Sequence, residues 1–143
     1  MDKVIDKKKL IEYCNDIKKS VDVASMIKND NSRGRGVGTN QFRELAAVCR
    51  NCDTFEEVEL LIRYKIAKDD KGESWRFQVD GKTLGKAVLD AINKIRKDYD
   101  DDMVLKALNL FFGYLYQSAR VWNSEVQPNN QKTTKKTGNG GRR

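Results

Sequence analysis

Along most of the chain, apolar residues recur every three or four positions, and that period predicts helices. Leu10, Cys14, Ile17 and Val21 form one stripe of a first helix expected over 3–19, with lysines elsewhere on its surface. A continuation after a bend is expected over 21–28, with Met26 and Ile27 turned inward. Phe42, Leu45, Ala46 and Cys49 then fall at i, i+3, i+4 and i+7, a single apolar face on a helix that Thr39 is placed to cap. Arg43, Ala47 and Arg50 lie on another face. Asp53 or Thr54 is placed to cap a third helix, whose buried stripe is Phe55, Val58, Ile62 and Ile66.

The pattern changes in "KDDKGESWRFQVDGK". Trp75, Phe77 and Val79 alternate with polar residues, which suggests a short extended segment before an Asp80-Gly81 turn. A lone strand has no obvious partner in this chain, so no sheet is expected. Leu84, Val88, Ala91 or Ile92, and Ile95 restore the helical period through Lys97. Leu105, Leu108, Phe112, Leu115, Ala119 and Trp122 then form a heptad-like seam, with only Lys106 and Arg120 charged between Met103 and Trp122. A helix this apolar is either the centre of a bundle or part of a subunit interface. The pattern predicts an all-α domain, a bundle of about five helices over 1–125. Beyond it, 126–143 is rich in Asn, Lys, Thr, Gly and Arg, which cannot bury apolar area, and is expected to be a disordered basic tail.

Charge refines this picture. The chain of 143 residues carries a net +7 with 34% charged residues. Lys132, Lys135, Lys136, Arg142 and Arg143 lie in the tail, which holds no acid. Subtracting those five from 28 Lys and Arg leaves 23 against 21 acids, a balance of +2 for the first 125 residues. Nucleic-acid binding by the folded part must therefore rest on local patches. The apolar runs are too short to cross a bilayer and the first residues do not resemble a leader, so a soluble, cytoplasmic protein with no membrane association is expected.

The chemistry of catalysis finds little support. The chain has no histidine, which removes Ser-His and Cys-His bases and imidazole metal ligands. Cys49 and Cys52 form a C-x-x-C, but with Cys14 the only other cysteine a standard zinc set is incomplete, and burial as small hydrophobes is expected. Asp100, Asp101 and Asp102 precede a helix start, where acids suit the dipole better than they suit a metal. Asp69, Asp70, Lys71 and Glu73 sit in a glycine-containing loop rather than on rigid elements. No enzyme activity, metal or cofactor is expected.

Binding is the better prospect. "NDNSRGRGVGT" is neither a Walker A loop nor a dinucleotide fingerprint. It ends at a helix N-terminus that favours an anion, with Arg33 and Arg35 in reach of a phosphate; a flexible connector with two solvated arginines is an equal reading. Gln41, Arg43 and Arg50 lie off the apolar face of the following helix, and Arg63, Lys65 and Lys68 decorate the next. If the two helices pack side by side, these charges merge into a basic strip able to track a phosphate backbone. Most aromatics belong to the last helix and are expected to be buried, so contact should favour backbone over bases.

At "GVGTNQFRELAAV" the sequence resembles the small helical subunit of type III-A (Csm-type) CRISPR effector complexes. That family tends to open a helix with Thr-or-Ser-x-Gln-aliphatic-Arg, matched by Thr39, Gln41, Phe42 and Arg43. "LLIRYKIA" over Leu60 to Ala67 and the closing aromatic helix with Phe111 and Phe112 add to the likeness, which spans about Gly38 to Trp122. The chain departs from it at Lys68, Asp69 and Asp70, where a tyrosine and an arginine are common, and at Gly113, where an acid is usual. The resemblance implies a non-catalytic RNA-binding bundle, stacked in two or more copies beside the guide RNA and single-stranded target RNA of an antiviral ribonucleoprotein, with other subunits doing the chemistry; a homodimer is the other assembly expected. It carries RNA contact to Gln41 and Arg43; Arg33, Arg35, Arg50, Lys65 and Lys68 rest on charge alone. The alternatives are a stand-alone helical DNA-binding regulator, against which the acidic start "FEE" of the third helix argues, and a pure protein-interaction subunit.

Overall fold

The computed structural model describes residues 4–29 and 34–131, and for 126–131 the backbone alone. Among the described residues, six helices and a minimal hairpin follow one another as α1 Lys7–Ser20, α2 Val23–Met26, α3 Asn40–Cys49, α4 Phe55–Ala67, β1 Gln78–Val79, β2 Lys82–Thr83, α5 Leu84–Asp98 and α6 Asp101–Gln131. The protein is an all-α bundle, with α2 contributing a single turn.

The boundaries follow from capping chemistry. α1 begins at Lys7 rather than Lys3 because the Asp6 carboxylate accepts from the Lys9 N–H at 3.1 Å. Lys18 and Lys19 in its last turn face the negative end of the helix dipole. α4 starts with a full capping box: Thr54 Oγ1 accepts from the Glu57 N–H at 3.2 Å, and the Glu57 carboxylate accepts from the Thr54 N–H at 2.9 Å. Asp100 accepts from the Met103 N–H at 3.2 Å, so the triple aspartate begins α6 as a cap. Thr39 departs from expectation. Its backbone is already helical and its hydroxyl makes no capping bond, so the first turn of α3 closes through backbone bonds from the Gln41 N–H to Gly38 and from the Phe42 N–H to Thr39.

α6 is the centre of the bundle, packed against each of the other five helices. Val104, Leu108, Phe111, Phe112, Leu115, Ala119 and Trp122 are all buried. Phe111 and Phe112 meet edge to face with centroids 5.2 Å apart. A fully buried ring of this kind contributes about 2–3 kcal/mol relative to exposure. The seam is therefore core from Leu108 to Trp122, while its first residue, Leu105, is half-buried. The helix continues to Gln131, past the boundary expected at Glu125; residues 132–143, with the five basic positions of the tail, lie outside the described residues.

The extended segment does find a partner, contrary to expectation. β1 pairs antiparallel with β2, Gln78 opposite Thr83 and Val79 opposite Lys82. The two-residue turn has Asp80 at φ 56° and Gly81 at φ 76°, the mirror-image turn that Asp-Gly favours. Trp75 lies just before the hairpin and is buried edge-on against Phe42, centroids 5.9 Å apart. At the other end, the Asp6 N–H donates to Tyr99 Oη at 2.9 Å and Tyr13 Oη donates to Asp98 at 2.6 Å, tying α1 to the end of α5. Burial, followed by the Asp98 carboxylate, pushes the Tyr13 phenol up from its ordinary value.

Candidate nucleic-acid interface

The loop before α3 decides how its charges are held. Ile27 and Val37 form a parallel bridge, with the Lys28 N–H donating to Val37 O and the Val37 N–H to Met26 O, both at 2.8 Å. The Gly36 N–H donates to Glu73 O at 2.7 Å, and Val37 is fully buried. Gly36 has φ +94°, and a Cβ there would stand 2.7 Å from the Met26 carbonyl oxygen. This end of the loop is clamped between the exit of α2 and the 69–76 turn, so it is not a slack connector. Arg33 lies outside the described residues.

Since Phe42, Leu45 and Cys49 are buried, Gln41, Arg43 and Arg50 must leave the α3 core face, and they do. They do not leave it in one direction. Gln41 turns to α4, where its Oε1 accepts from Lys65 Nζ at 2.8 Å. Burial pushes the Lys65 ammonium pKa down, with Glu44 opposing the shift and Lys68 adding to it. Lys68, the C-cap of α4, holds its ammonium 5.2 Å from the Tyr64 ring centroid. Arg43 turns to α6, its guanidinium 5.8 Å from the Tyr116 centroid. Arg35 lies 5.8 Å from the Phe77 centroid beside the hairpin. Arg50 is exposed at the end of α3. The expected continuous strip is thus divided: Gln41, Lys65 and Lys68 come together on the α3–α4 side, Arg43 faces α6, and Arg35 and Arg50 stand at separate ends. Arg63 is drawn away by Glu59 at 3.7 Å.

Between the loop and the end of α4 lies a groove of about 570 Å³, lined by Lys28, Gln41, Lys68 and Lys71 together with Gly34, Gly36 and Gly38. Asp69, Asp70, Glu73 and Ser74 complete it. Asp69 is committed to the fold, accepting from the N–H groups of Glu73, Ser74 and Arg76 at 3.2, 3.0 and 2.9 Å. Partial burial works to raise its pKa, but those three donors and the Arg76 charge outweigh it and hold the carboxyl below its ordinary value. Such a carboxylate organises its own turn instead of reaching outward.

Among the described residues, Arg35, Arg43, Arg50, Lys65 and Lys68 make no ion pair with a carboxylate. Three of the five lie over aromatic rings, which weak cation–π attraction holds in place. Sequence reasoning missed those rings. Tyr64 was legible, because with Leu60 and Ala67 it falls outside the Phe55–Ile66 stripe at i, i+4 and i+7. Tyr116 falls outside the α6 seam, but nothing in the sequence pairs it with Arg43. Lys28 and Lys71 reach the groove through loop geometry that no periodicity encodes.

The cysteines are free. Burial pushes the Cys49 thiol up to about 12, and Cys52 is raised by burial and then by Glu57 and Asp53. Raised thiols are poor nucleophiles and poor metal ligands at neutral pH.

Fold and surface define a helical domain whose cations lie in separate groups, three of them over aromatic rings. Comparison with family models, with curated proteins and with solved structures finds no significant match to this chain. No helix among the described residues is long and apolar enough to cross a membrane.

Proposed function

We propose that this chain is a non-catalytic RNA-binding small subunit of a type III-A CRISPR ribonucleoprotein, acting in the cytoplasm beside guide RNA and single-stranded target RNA, in stacked copies or as a homodimer. The observation that carries the reading is the Gln41–Lys65 contact, which joins the motif helix α3 to the "LLIRYKIA" helix α4, with Lys65 and Lys68 making no ion pair among the described residues. The resemblance at Thr39, Gln41, Phe42 and Arg43 supplies the class of complex; the charge supplies the polyanion. Other subunits of the complex perform the chemistry.

A DNA-reading role for α4 is disfavoured by its first turn. Hydrogen bonding to Arg96 comes first among the causes that hold the Glu56 carboxyl below its ordinary value, and the Asp53 and Thr54 N–H groups do the same for Glu57. Ionised acids at the tip of a recognition helix repel phosphate.

The test is a titration of single-stranded RNA against duplex DNA at two salt concentrations, using the full chain and a chain ending at Gln131, which keeps α6 whole and removes the five basic tail residues. Tighter, salt-sensitive binding of single-stranded RNA by the shorter chain is expected. A preference for duplex DNA, or binding that vanishes with the tail, would refute the reading. Arg43→Glu should weaken RNA binding about tenfold or more while the thermal midpoint moves little, since Arg43 is exposed and off the core face. Unchanged affinity in the folded variant would remove Arg43 from the interface.

A further inference from the structure

The outer face of α4 carries Leu60 and Tyr64, 67% and 58% exposed, with Ala67 exposed one turn on. A leucine, a tyrosine and an alanine at this spacing form an apolar face, and no described residue covers it. One border of the face is cationic: the Lys68 ammonium lies 5.2 Å from the Tyr64 centroid, and Lys65 is anchored to Gln41 beside it. Neither lysine is in an ion pair among the described residues. An exposed ring with a tethered cation over one face suits a ligand that alternates π-faces with negative charges. A strand of unpaired nucleotides has that chemistry, the base stacking on the ring and the adjoining phosphate meeting the ammonium.

We propose that Tyr64 is a base-stacking platform for single-stranded RNA, with Lys68 as its phosphate partner. The inference rests on the RNA-binding reading and extends it, because it adds contact with bases to an interface expected to hold the backbone alone. Stacking of this kind is tolerant of sequence, so it strengthens binding without selecting one base.

The experiment compares a short oligouridylate with an abasic ribose–phosphate oligomer of the same length, both titrated against the full chain and its Tyr64→Ala, Tyr64→Phe and Lys68→Ala variants. The wild type should bind the oligouridylate roughly 5- to 100-fold more tightly than Tyr64→Ala does. On the abasic oligomer the two should be equal, and Tyr64→Phe should match the wild type on both. Lys68→Ala should weaken binding to both oligomers and reduce the salt slope by about 0.7. If Tyr64→Ala binds the oligouridylate as the wild type does, or loses equally on both oligomers, the platform is overturned while RNA binding stands. If that variant also turns a sedimenting oligomer into monomers, the face belongs to a protein partner instead. If the wild type binds neither oligomer, the platform and the RNA-binding reading fall together.

Discussion

Gly36→Ala isolates what the clamped loop is worth. Gly36 has φ +94°, where an L side chain costs about 1–2 kcal/mol in backbone strain. Stiffening the unfolded chain returns about 0.4–1 kcal/mol of that. The larger effect is steric. The new Cβ would meet the Met26 carbonyl oxygen at 2.7 Å, its carbon at 2.9 Å and the Lys28 nitrogen at 3.0 Å. All three are backbone atoms, and Met26 and Lys28 take part in the bridge to Val37. Relief requires opening that bridge, which loses two hydrogen bonds of about 1 kcal/mol each and loosens the buried Val37. The expected destabilisation is about 3 kcal/mol, or roughly 10 °C in the thermal midpoint of a domain this size. Gly34→Ala is the control. Its φ is +85°, but nothing lies within 4 Å of its Cβ, so only the conformational cost of about 1 kcal/mol remains. Urea unfolding of both variants measures the difference. Equal losses would refute the claim that the loop is clamped through Gly36, and would restore the slack connector.

Two further outcomes follow from named contacts. Thr54→Ala removes the hydroxyl that accepts from the Glu57 N–H and should cost about 1 kcal/mol by urea unfolding; no loss would mean that the capping box leaves α4 unaffected. Asp69→Asn tests linkage. Because the folded-state pKa of Asp69 is depressed, the unfolded chain binds its proton more readily, and the carboxylate stabilises the fold above the unfolded value of about 3.9. That stability is lost as pH falls through the folded value. Wild type and variant should therefore differ most near neutral pH and converge in acid, whereas a gap independent of pH would show that the three N–H bonds, rather than the charge, are what the fold uses.

Period located most of the helical core, although Val21, Ala46, Ile66 and Leu105 of the expected stripes are half-buried, and the buried Val37 and Trp75 lie outside any helix. Leu10, Cys14 and Ile17, then Phe42, Leu45 and Cys49, then Phe55, Val58 and Ile62 are all buried as the i, i+3, i+4 spacing requires. The seam through Leu108, Phe112, Leu115 and Ala119 turned out to be the bundle's centre, a choice the spacing left open because core and interface impose the same pattern. What escaped was set by backbone geometry. Thr39 has the residue type of a cap but a helical φ of −60°, so its hydroxyl makes no capping bond. β2 consists of Lys82 and Thr83, two residues with no alternation to reveal them. The candidate site was legible to the same degree: α3 periodicity placed Gln41, Arg43 and Arg50 outside the core, but a helical wheel cannot say which neighbour each side chain will meet.

That distinction governs how this edge can bind a polymer. A continuous strip would let phosphates run along one line, each cation worth about the same. The observed division puts Gln41 and Lys68 in the groove with Lys65 held beside them, and sends Arg43 across α3 to Tyr116 on α6. A strand touching both groups must cross α3 rather than follow it. Crossing brings the chain over Arg43 on one side and past the Tyr64 ring of α4 on the other. The buried face of α6 between Val104 and Trp122 packs against α3, so the core itself holds α3 in place. On the proposed reading, cations on both sides of α3 would position a backbone without reading its sequence.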